Sequence, residues 1–156
     1  MDNQQDRRSF PLKAVSFTPI GYVARQASAP VGADKIPALR AETVELHIDP
    51  TYADALLGIE VDDALVIMTY FHLASRDVRR VHPRGDRDRP LRGVFATRSP
   101  SRPNPIGLST VRVVQIEGTV LKVRGLDALD GSPILDIKSY SEGFDTPYPT
   151  EPSQLG

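Results

Sequence analysis

The stretch that decides the fold is Gly93-Val-Phe-Ala-Thr-Arg-Ser-Pro-Ser-Arg-Pro-Asn-Pro-Ile-Gly-Leu-Ser109. Its prolines fix their own φ angles and restrain the residues before them, so the middle of the stretch is predicted to be a stiff loop. The apolar residues at its two ends, Val94, Phe95, Ile106 and Leu108, are predicted to be buried ends of strands. The loop then holds three polar side chains in place, those of Arg98, Arg102 and Asn104. An ordinary proline-rich turn has the same composition and stays open as an alternative.

Alternating and continuous apolar runs on both sides of this loop predict strands at 15–23, 43–48, 64–72, 94–95, 109–116, 119–124 and 134–137. The best helix signal covers 49–58, with Asp49 as the cap, Pro50 in the first turn and Gly58 at the end. Long loops are predicted at 24–40, 73–92, 96–105 and 126–133. About seven strands with a few short helical pieces indicate a mainly β domain, either a barrel or a sandwich, and loops of this length in a compact domain are usually functional.

The composition limits the class of protein. A chain of 156 residues is most simply one domain, and its 14 prolines and 11 glycines argue against a helical bundle. The absence of cysteine excludes disulfides and thiolate metal sites. The first 14 residues are polar and basic and are predicted to be a flexible lead without a signal-peptide core, and no apolar run is long enough to span a bilayer. These features predict a cytoplasmic protein without membrane contact.

Positive charge is concentrated in one part of the chain. Nine arginines and only three aspartates lie between Arg76 and Arg102, although the net charge of the whole chain is −1. The planar guanidinium group suits carboxylate and phosphate, so this bias indicates an anionic partner. A charged loop that only contacts solvent is the alternative.

Few residues suggest a catalytic role by their spacing alone. The three histidines lack metal-ligand spacing, so no metal site is predicted. His72 ends the most apolar strand and either faces a site or is a satisfied core histidine. Asp127 and Asp130 lie in a tight turn, where aspartate normally caps its own backbone. Two classes stay open at this point: an enzyme acting on a nucleotide-like or RNA substrate, and a non-catalytic nucleic-acid binder whose basic loops follow phosphates.

Residues 93–109 resemble the signature of the TrmO family, also called the TsaA-like domain. Four further segments agree in order with that family: Pro19-Ile-Gly-Tyr-Val23, Ala55-Leu-Leu-Gly-Ile-Glu60, Tyr70-Phe-His72 and Leu126-Asp-Ala-Leu-Asp-Gly-Ser-Pro-Ile-Leu-Asp-Ile-Lys-Ser-Tyr140. The resemblance predicts one TsaA-like β-barrel domain over 15–145, preceded by the lead at 1–14 and followed by a tail at 146–156. The chain is expected to be a short form without the C-terminal domain of longer members.

Members of this family are S-adenosylmethionine-dependent methyltransferases that methylate N6 of threonylcarbamoyladenosine at position 37 of tRNA. The resemblance implies a single compact β-barrel, a homodimer, and S-adenosylmethionine bound between loops. Position by position, the methyl donor is expected to contact Pro30, His72, Leu73, Arg98, Leu108, Asp130, Gly131, Ser132 and Pro133. His72 is also a candidate base, and the arginine-rich loop 76–92 is expected to meet tRNA phosphates. Arg102 and Asn104 are expected mainly to lock the loop's own conformation.

The chain departs from the family pattern in its first long loop and in the turn at 130–133. Pro30-Val-Gly stands where the family has a Pro-Arg-Gln contact, and Ser132 replaces the usual threonine. The methyl acceptor is therefore predicted to be either tRNA or a small molecule.

Overall fold

A computed structural model of the chain describes residues 13–27, 29 and 31–149. Its eight strands are β1 (Gly21–Ala24), β2 (Thr43–Ile48), β3 (Ala64–Tyr70), β4 (Arg80–Val81), β5 (Arg92–Gly93), β6 (Ile106–Glu117), β7 (Val120–Arg124) and β8 (Pro133–Ser139). Six of them close into an antiparallel barrel in the order β1-β2-β7-β6-β3-β8, and β4 pairs only with β5. The predicted mainly β fold is confirmed, and it is the barrel rather than the sandwich.

The barrel core follows from side chains that alternate between the two faces of each strand. In β2, Val44, Leu46 and Ile48 are 2%, 0% and 4% exposed and face inward, as the alternation predicts. Leu65 and Ile67 of β3 join the same cluster. Burying a side chain of this size contributes about 1.5–3 kcal/mol, so the inward rows of the six strands hold the barrel closed.

Strand β1 has a dual role in closure. It pairs with β2 through Gly21–Ile48 and with β8 through Gly21–Ile134. The predicted first strand at 15–23 is shorter than expected, because the described chain before Gly21 is largely exposed and outside the sheet. The predicted lead at 1–14 and tail at 146–156 lie largely outside the described residues, as does Pro30, and these predictions are not tested.

The helical segments differ from the sequence-based expectation. The segment at 49–58 is a 3-10 helix, Pro50–Leu56, with a non-helical residue at Tyr52. Asp49 caps it by accepting the Thr51 N–H at 2.8 Å. The predicted loop 24–40 contains a 3-10 turn at Ala33–Lys35 and helix α1 (Ile36–Ala41), which was missed because this six-residue helix buries only Leu39. A second short helix, α2 (Glu142–Asp145), follows β8.

The prediction of buried strand ends around the signature loop is wrong: three of the four residues are exposed, and no strand forms at 94–95. Val94 is buried, but it belongs to a 3-10 turn, Val94–Ala96, and Phe95 in that turn is 86% exposed. Strand β6 begins at Ile106, so Ile106 and Leu108 point outward and are exposed, while Gly107 and Ser109 point inward. Within the described ranges, no helix is long and apolar enough to cross a membrane.

Candidate active site

The register of three strands brings the predicted donor-binding segments to one edge of the barrel. Thr69, near the end of β3, pairs with Gly107 of β6 on one side and with Ile134 of β8 on the other. The end of β3, the start of β6 and the start of β8 are therefore neighbours, although they are far apart in sequence. The predicted positions at this edge are His72, Leu73, Arg98, Leu108, Asp130, Gly131, Ser132 and Pro133.

Arg102 stiffens the signature loop from within. Its Nη2 donates to the carbonyl oxygens of Val94 and Thr97, the latter at 2.8 Å. Its backbone N–H donates to the Ser75 carbonyl oxygen at 3.0 Å, which ties the loop to the segment after β3. The prediction that Arg102 locks the loop's own conformation is confirmed. Asn104 has a smaller part, because its Oδ1 accepts one long bond of 3.5 Å from Arg76.

Four residues predicted to contact the methyl donor, Arg98, Leu108, Leu73 and His72, are exposed at this edge. Arg98 donates from Nη2 to the Leu108 carbonyl oxygen, so these two residues lie together. Leu73 and Leu108 are 53% and 46% exposed. His72 is also exposed and lies two residues beyond β3, with its backbone N–H on the Tyr70 carbonyl oxygen. The alternative that His72 is a satisfied core histidine is therefore wrong.

The turn before β8 is held by the segment that follows β1. The Asp130 N–H donates to the Ala27 carbonyl oxygen at 2.9 Å, and the Gly131 N–H donates to the Val23 carbonyl oxygen at 2.8 Å. Gly131 has φ of +73°, and the position of its missing Cβ is open space, so a ligand can approach this backbone. The Ser132 side chain beside it is 1% exposed.

The two aspartates of this region do not cap their own turn, which was the usual expectation for them. The Asp127 carboxylate accepts from the Ser109 hydroxyl at 2.7 Å, across 18 residues of sequence. The Asp130 carboxylate accepts from the Arg25 backbone N–H at 2.8 Å. Both carboxylates therefore join the turn to other elements of the barrel.

Sequence reasoning missed Arg25 and Ser109. The Arg25 side chain is 1% exposed, and its Nη2 donates to the carbonyl oxygens of Leu39 and Leu126. Burial lowers the pKa of its guanidinium group, against the opposing effect of the Glu42 and Asp127 carboxylates. No local pattern marks Arg25, because its partners are distant carbonyl groups. Ser109 has a signal, since it is in phase with the inward-facing Val111.

The residues at this edge fit an S-adenosylmethionine-like donor. Arg98 presents an exposed guanidinium group, which suits a carboxylate. The hydroxyls of Thr69 and Ser132 are buried and have no hydrogen-bond partner among the described residues. Such groups call for a partner, and a polar ligand at the open backbone of Gly131 is one that this edge can accommodate. In the described part of the chain, no group of His, Asp and Glu side chains is arranged to hold a metal ion.

An arginine-rich ribbon lies beside this edge. It consists of β4, a 3-10 turn at Pro83–Gly85 and β5, and its turn packs against the turn at Ala33–Lys35. Arg89 pairs with Asp86 at 3.3 Å. Within the ranges that the structure describes, five other exposed arginines have side chains without a hydrogen bond or ion pair: Arg79, Arg80, Arg84, Arg87 and Arg92. The ribbon therefore carries a surplus of positive charge.

The fold and the site define a class of small closed β-barrel domains with a polar edge built from loops, unlike doubly wound cofactor-binding folds. Residues 24–146 match the tRNA-methyltransferase O N-terminal domain, and the chain belongs to this family. The resemblance of residues 93–109 to the TrmO signature is thereby confirmed.

Relatives and solved structures agree with this assignment. A "Probable S-adenosyl-L-methionine-binding protein" of Methanothermobacter thermautotrophicus is 44% identical over 132 residues, which are 85% of this chain and 94% of that protein. A tRNA (adenine(37)-N6)-methyltransferase of Rattus norvegicus is 31% identical over 140 residues, 86% of this chain and 32% of that protein. The crystal structure of TrmO from Pseudomonas aeruginosa superposes with a TM-score of 0.67 at 34% identity, covering 87% of this chain and 59% of that chain. The chain thus spans about a third of the rat protein and 59% of the Pseudomonas aeruginosa chain.

Proposed function

We propose that the chain is an S-adenosylmethionine-dependent N-methyltransferase whose acceptor is tRNA, at N6 of threonylcarbamoyladenosine 37. The observation that carries the proposal is the family membership over residues 24–146. It is supported by the convergence of the end of β3, the signature loop and the turn before β8 at one barrel edge. The names of the archaeal and rat relatives support the donor and the acceptor respectively.

In this proposal the chain's own residues act mainly by positioning. Arg98, held by the Leu108 carbonyl oxygen, pairs with the donor's carboxylate, and the backbone of Gly131 and the Ser132 hydroxyl bind its polar groups. The bound donor supplies a methyl group already activated by its sulfonium. Holding the acceptor nitrogen in line with it lowers the entropic part of the barrier. His72, exposed at the same edge, is the proposed acceptor of the nitrogen's proton.

The arginine-rich ribbon is the proposed contact for tRNA phosphates. Its five arginines named above are exposed, and the Arg79 carbonyl oxygen, next to β4, accepts from the Val94 N–H of the signature loop at 3.0 Å. Removing one bound phosphate from such an interface lowers the slope of log affinity against log salt by roughly 0.7–0.9. We expect Arg84→Ala to weaken tRNA binding and to lower this slope by about that amount, measured by filter binding at several salt concentrations.

The experiment that tests the function combines a transfer assay with calorimetry. Labelled donor is incubated with tRNA that carries threonylcarbamoyladenosine, with unmodified tRNA, and with small-molecule acceptors. Label on the modified tRNA alone supports the proposal. Label on a small molecule alone favours the rival acceptor, and salt-sensitive tRNA binding without turnover favours a non-catalytic binder. Arg98→Ala should weaken donor binding. Arg112→Ala should not, because Arg112 is an exposed arginine of β6 that donates to the Asp62 carbonyl oxygen instead.

The proposal includes a homodimer in the cytoplasm. Phe95 and Ile106 of the signature are exposed apolar side chains near the proposed donor contact Leu108, and a second copy would cover them. Phe95→Asp should convert the protein to a monomer in sedimentation experiments. Leu57→Asp is the matched control, because Leu57 is 92% exposed but outside this edge. A monomeric wild-type protein at micromolar concentration would contradict the homodimer.

A further inference from the structure

Arg25 is a buried arginine whose side-chain hydrogen bonds run from one nitrogen, Nη2, to backbone carbonyl groups. It follows β1, and its side chain is 1% exposed. Arginine is almost never fully buried unless it is paired, so its partners should explain why it is there. Nη2 donates to the Leu39 carbonyl oxygen in α1 and to the Leu126 carbonyl oxygen, both at 3.1 Å. Nε lies 3.9 Å from Oε2 of Glu42.

The same residue also holds the other end of the turn before β8. Its backbone N–H donates to the Asp130 carboxylate at 2.8 Å, while its side chain holds the carbonyl group of Leu126. The neighbours of Arg25 add the bonds from Gly131 to Val23 and from Asp130 to Ala27. Arg25 thus holds the segment 126–130 at both ends. Its side chain binds the Leu126 carbonyl group, and its backbone N–H binds the Asp130 carboxylate.

These bonds matter because the turn supplies one backbone hydrogen bond of its own, from the Ser132 N–H to the Leu129 carbonyl oxygen at 3.1 Å, and its others run to β1 and the residues that follow it. Gly131 adopts a left-handed φ of +73° and is exposed, and the Cβ position there is open. A turn of this kind samples other conformations unless its surroundings restrain it. One nitrogen of the guanidinium group, Nη2, joins two carbonyl groups that lie 14 and 101 residues away in sequence. The ammonium group of a lysine stands one bond short of this nitrogen, at the position of the guanidinium carbon, so it does not reach both carbonyl groups.

We propose that Arg25 is a positioning residue, which presets the Asp130–Pro133 turn for the methyl donor through its bonds to Leu126 and Asp130. The inference rests on the proposed function, since it takes this turn as part of the donor site. Arg25 acts through the turn and does not itself touch the donor. Without the side-chain bonds of Arg25, part of the binding energy of the methyl donor is used to order the turn, so the affinity of the protein for the donor falls.

The chain offers a matched control in Arg40. Its Nε donates to the Gly125 carbonyl oxygen at 3.0 Å, next to the carbonyl group that Arg25 holds, but from an exposed position. Calorimetry with S-adenosylmethionine should show a dissociation constant about tenfold higher for R25K than for the wild type, the effect of removing one bond to a charged group. R40K should stay within about twofold of wild type. The turnover number of R25K at saturating donor should stay within about twofold of the wild-type value, because the side-chain bonds of Arg25 affect donor binding rather than methyl transfer.

Hydrogen exchange of the free protein tests the inference without the donor. The backbone amides of Asp130 and Gly131 should exchange about tenfold faster in R25K than in the wild type and at the wild-type rate in R40K. Unchanged exchange in R25K would overturn the positioning role, even if donor affinity fell. Loss of the folded circular-dichroism spectrum in R25K would also overturn it, in favour of a general core role. A wild-type protein that binds no donor would refute the proposed function, while the exchange rates would still decide whether Arg25 holds the turn.

Discussion

Two buried hydroxyls on neighbouring strands should respond to removal in opposite directions. Thr69 is 1% exposed, and its Oγ1 has no hydrogen-bond partner in the described residues. Ser109 is 6% exposed and donates to Asp127 at 2.7 Å. Both face the interior at the site edge of the barrel, on β3 and β6. Thr69→Val and Ser109→Ala therefore form a matched pair.

The magnitude follows from the cost of burying an unsatisfied polar group. Removing the unpaired Thr69 hydroxyl while keeping its shape should raise the free energy of unfolding by about 1–2 kcal/mol. Ser109→Ala should lower it by about 1–3 kcal/mol, because the half-buried Asp127 carboxylate loses a donor. For a chain of this size each kcal/mol shifts the melting temperature by roughly 2–4 °C.

Differential scanning calorimetry of the two variants and the wild type at neutral pH is the assay. We expect the melting temperatures in the order Thr69→Val, wild type, Ser109→Ala, from highest to lowest. If the Thr69 hydroxyl serves the bound donor, Thr69→Val should also weaken donor binding in calorimetry while it stabilises the free protein. A melting temperature of Thr69→Val below that of the wild type would refute the reasoning, because it would mean that the hydroxyl is satisfied in the free protein.

Three further predictions concern the barrel and its loops. Gly21→Ala should lower the free energy of unfolding by about 3 kcal/mol in urea titrations, because its Cβ would overlap the backbone carbonyl oxygen of His47; Gly93→Ala, which meets nothing within 4 Å, should be neutral. Arg102→Lys should loosen the signature loop and speed its proteolysis, since Nη2 donates to two carbonyl groups and the ammonium group of a lysine stands one bond short of that nitrogen. Asp49→Ala should destabilise the protein at neutral pH, and its difference from wild type should vanish in urea titrations as pH falls below the ordinary carboxyl range. Hydrogen bonds from the Thr51 side chain and backbone lower the pKa of Asp49, so its stabilisation is complete above that range and disappears under acid.

The sequence predicted strands well where a strand is buried on one face, which gives alternation, or on both faces, which gives a continuous apolar run. The clean alternation in β2 predicted its bounds at 43–48, and the apolar run at 64–72 predicted β3, which ends two residues earlier at Tyr70. Barrel and sandwich could not be separated, because closure depends on Gly21 pairing with strands on both of its sides. Pairing of that kind is non-local and leaves no mark in a periodic pattern.

The orientation of the signature's apolar residues was predictable but was misread. Val111 and Val113 are 3% and 0% exposed, so counting back by two places Ser109 and Gly107 inside the barrel. Ile106 and Leu108 must then face outward, on the same row as the exposed Arg112. The prediction of buried strand ends relied on the hydrophobicity of these residues and did not use the alternation of inward and outward positions along the strand.

The proposed donor-site residues follow from the resemblance, whereas the residues alone predicted a stiff loop with Arg98, Arg102 and Asn104 held in place. Arg25 was beyond both, because its side-chain partners are carbonyl groups, which carry no side-chain signal. A charged residue just after a strand is ordinarily exposed. Only the packing of α1 and the segment 126–130 around β1 buries it.

The interior of the barrel becomes more polar toward the edge of the proposed donor site, and this change is visible without any comparison with relatives. Along β6 the inward positions change from Val113 and Val111 to Ser109 and Gly107 as the strand approaches the signature loop. Buried hydroxyls are unfavourable unless they are paired, so a barrel selected for stability alone would continue its apolar row to the edge. The signature loop leads into β6 at that same edge, and Arg102 stiffens it through hydrogen bonds to the Val94 and Thr97 carbonyl oxygens. The described residues therefore place buried polar side chains beside a restrained loop, the combination expected where side chains must be held ready for a polar ligand.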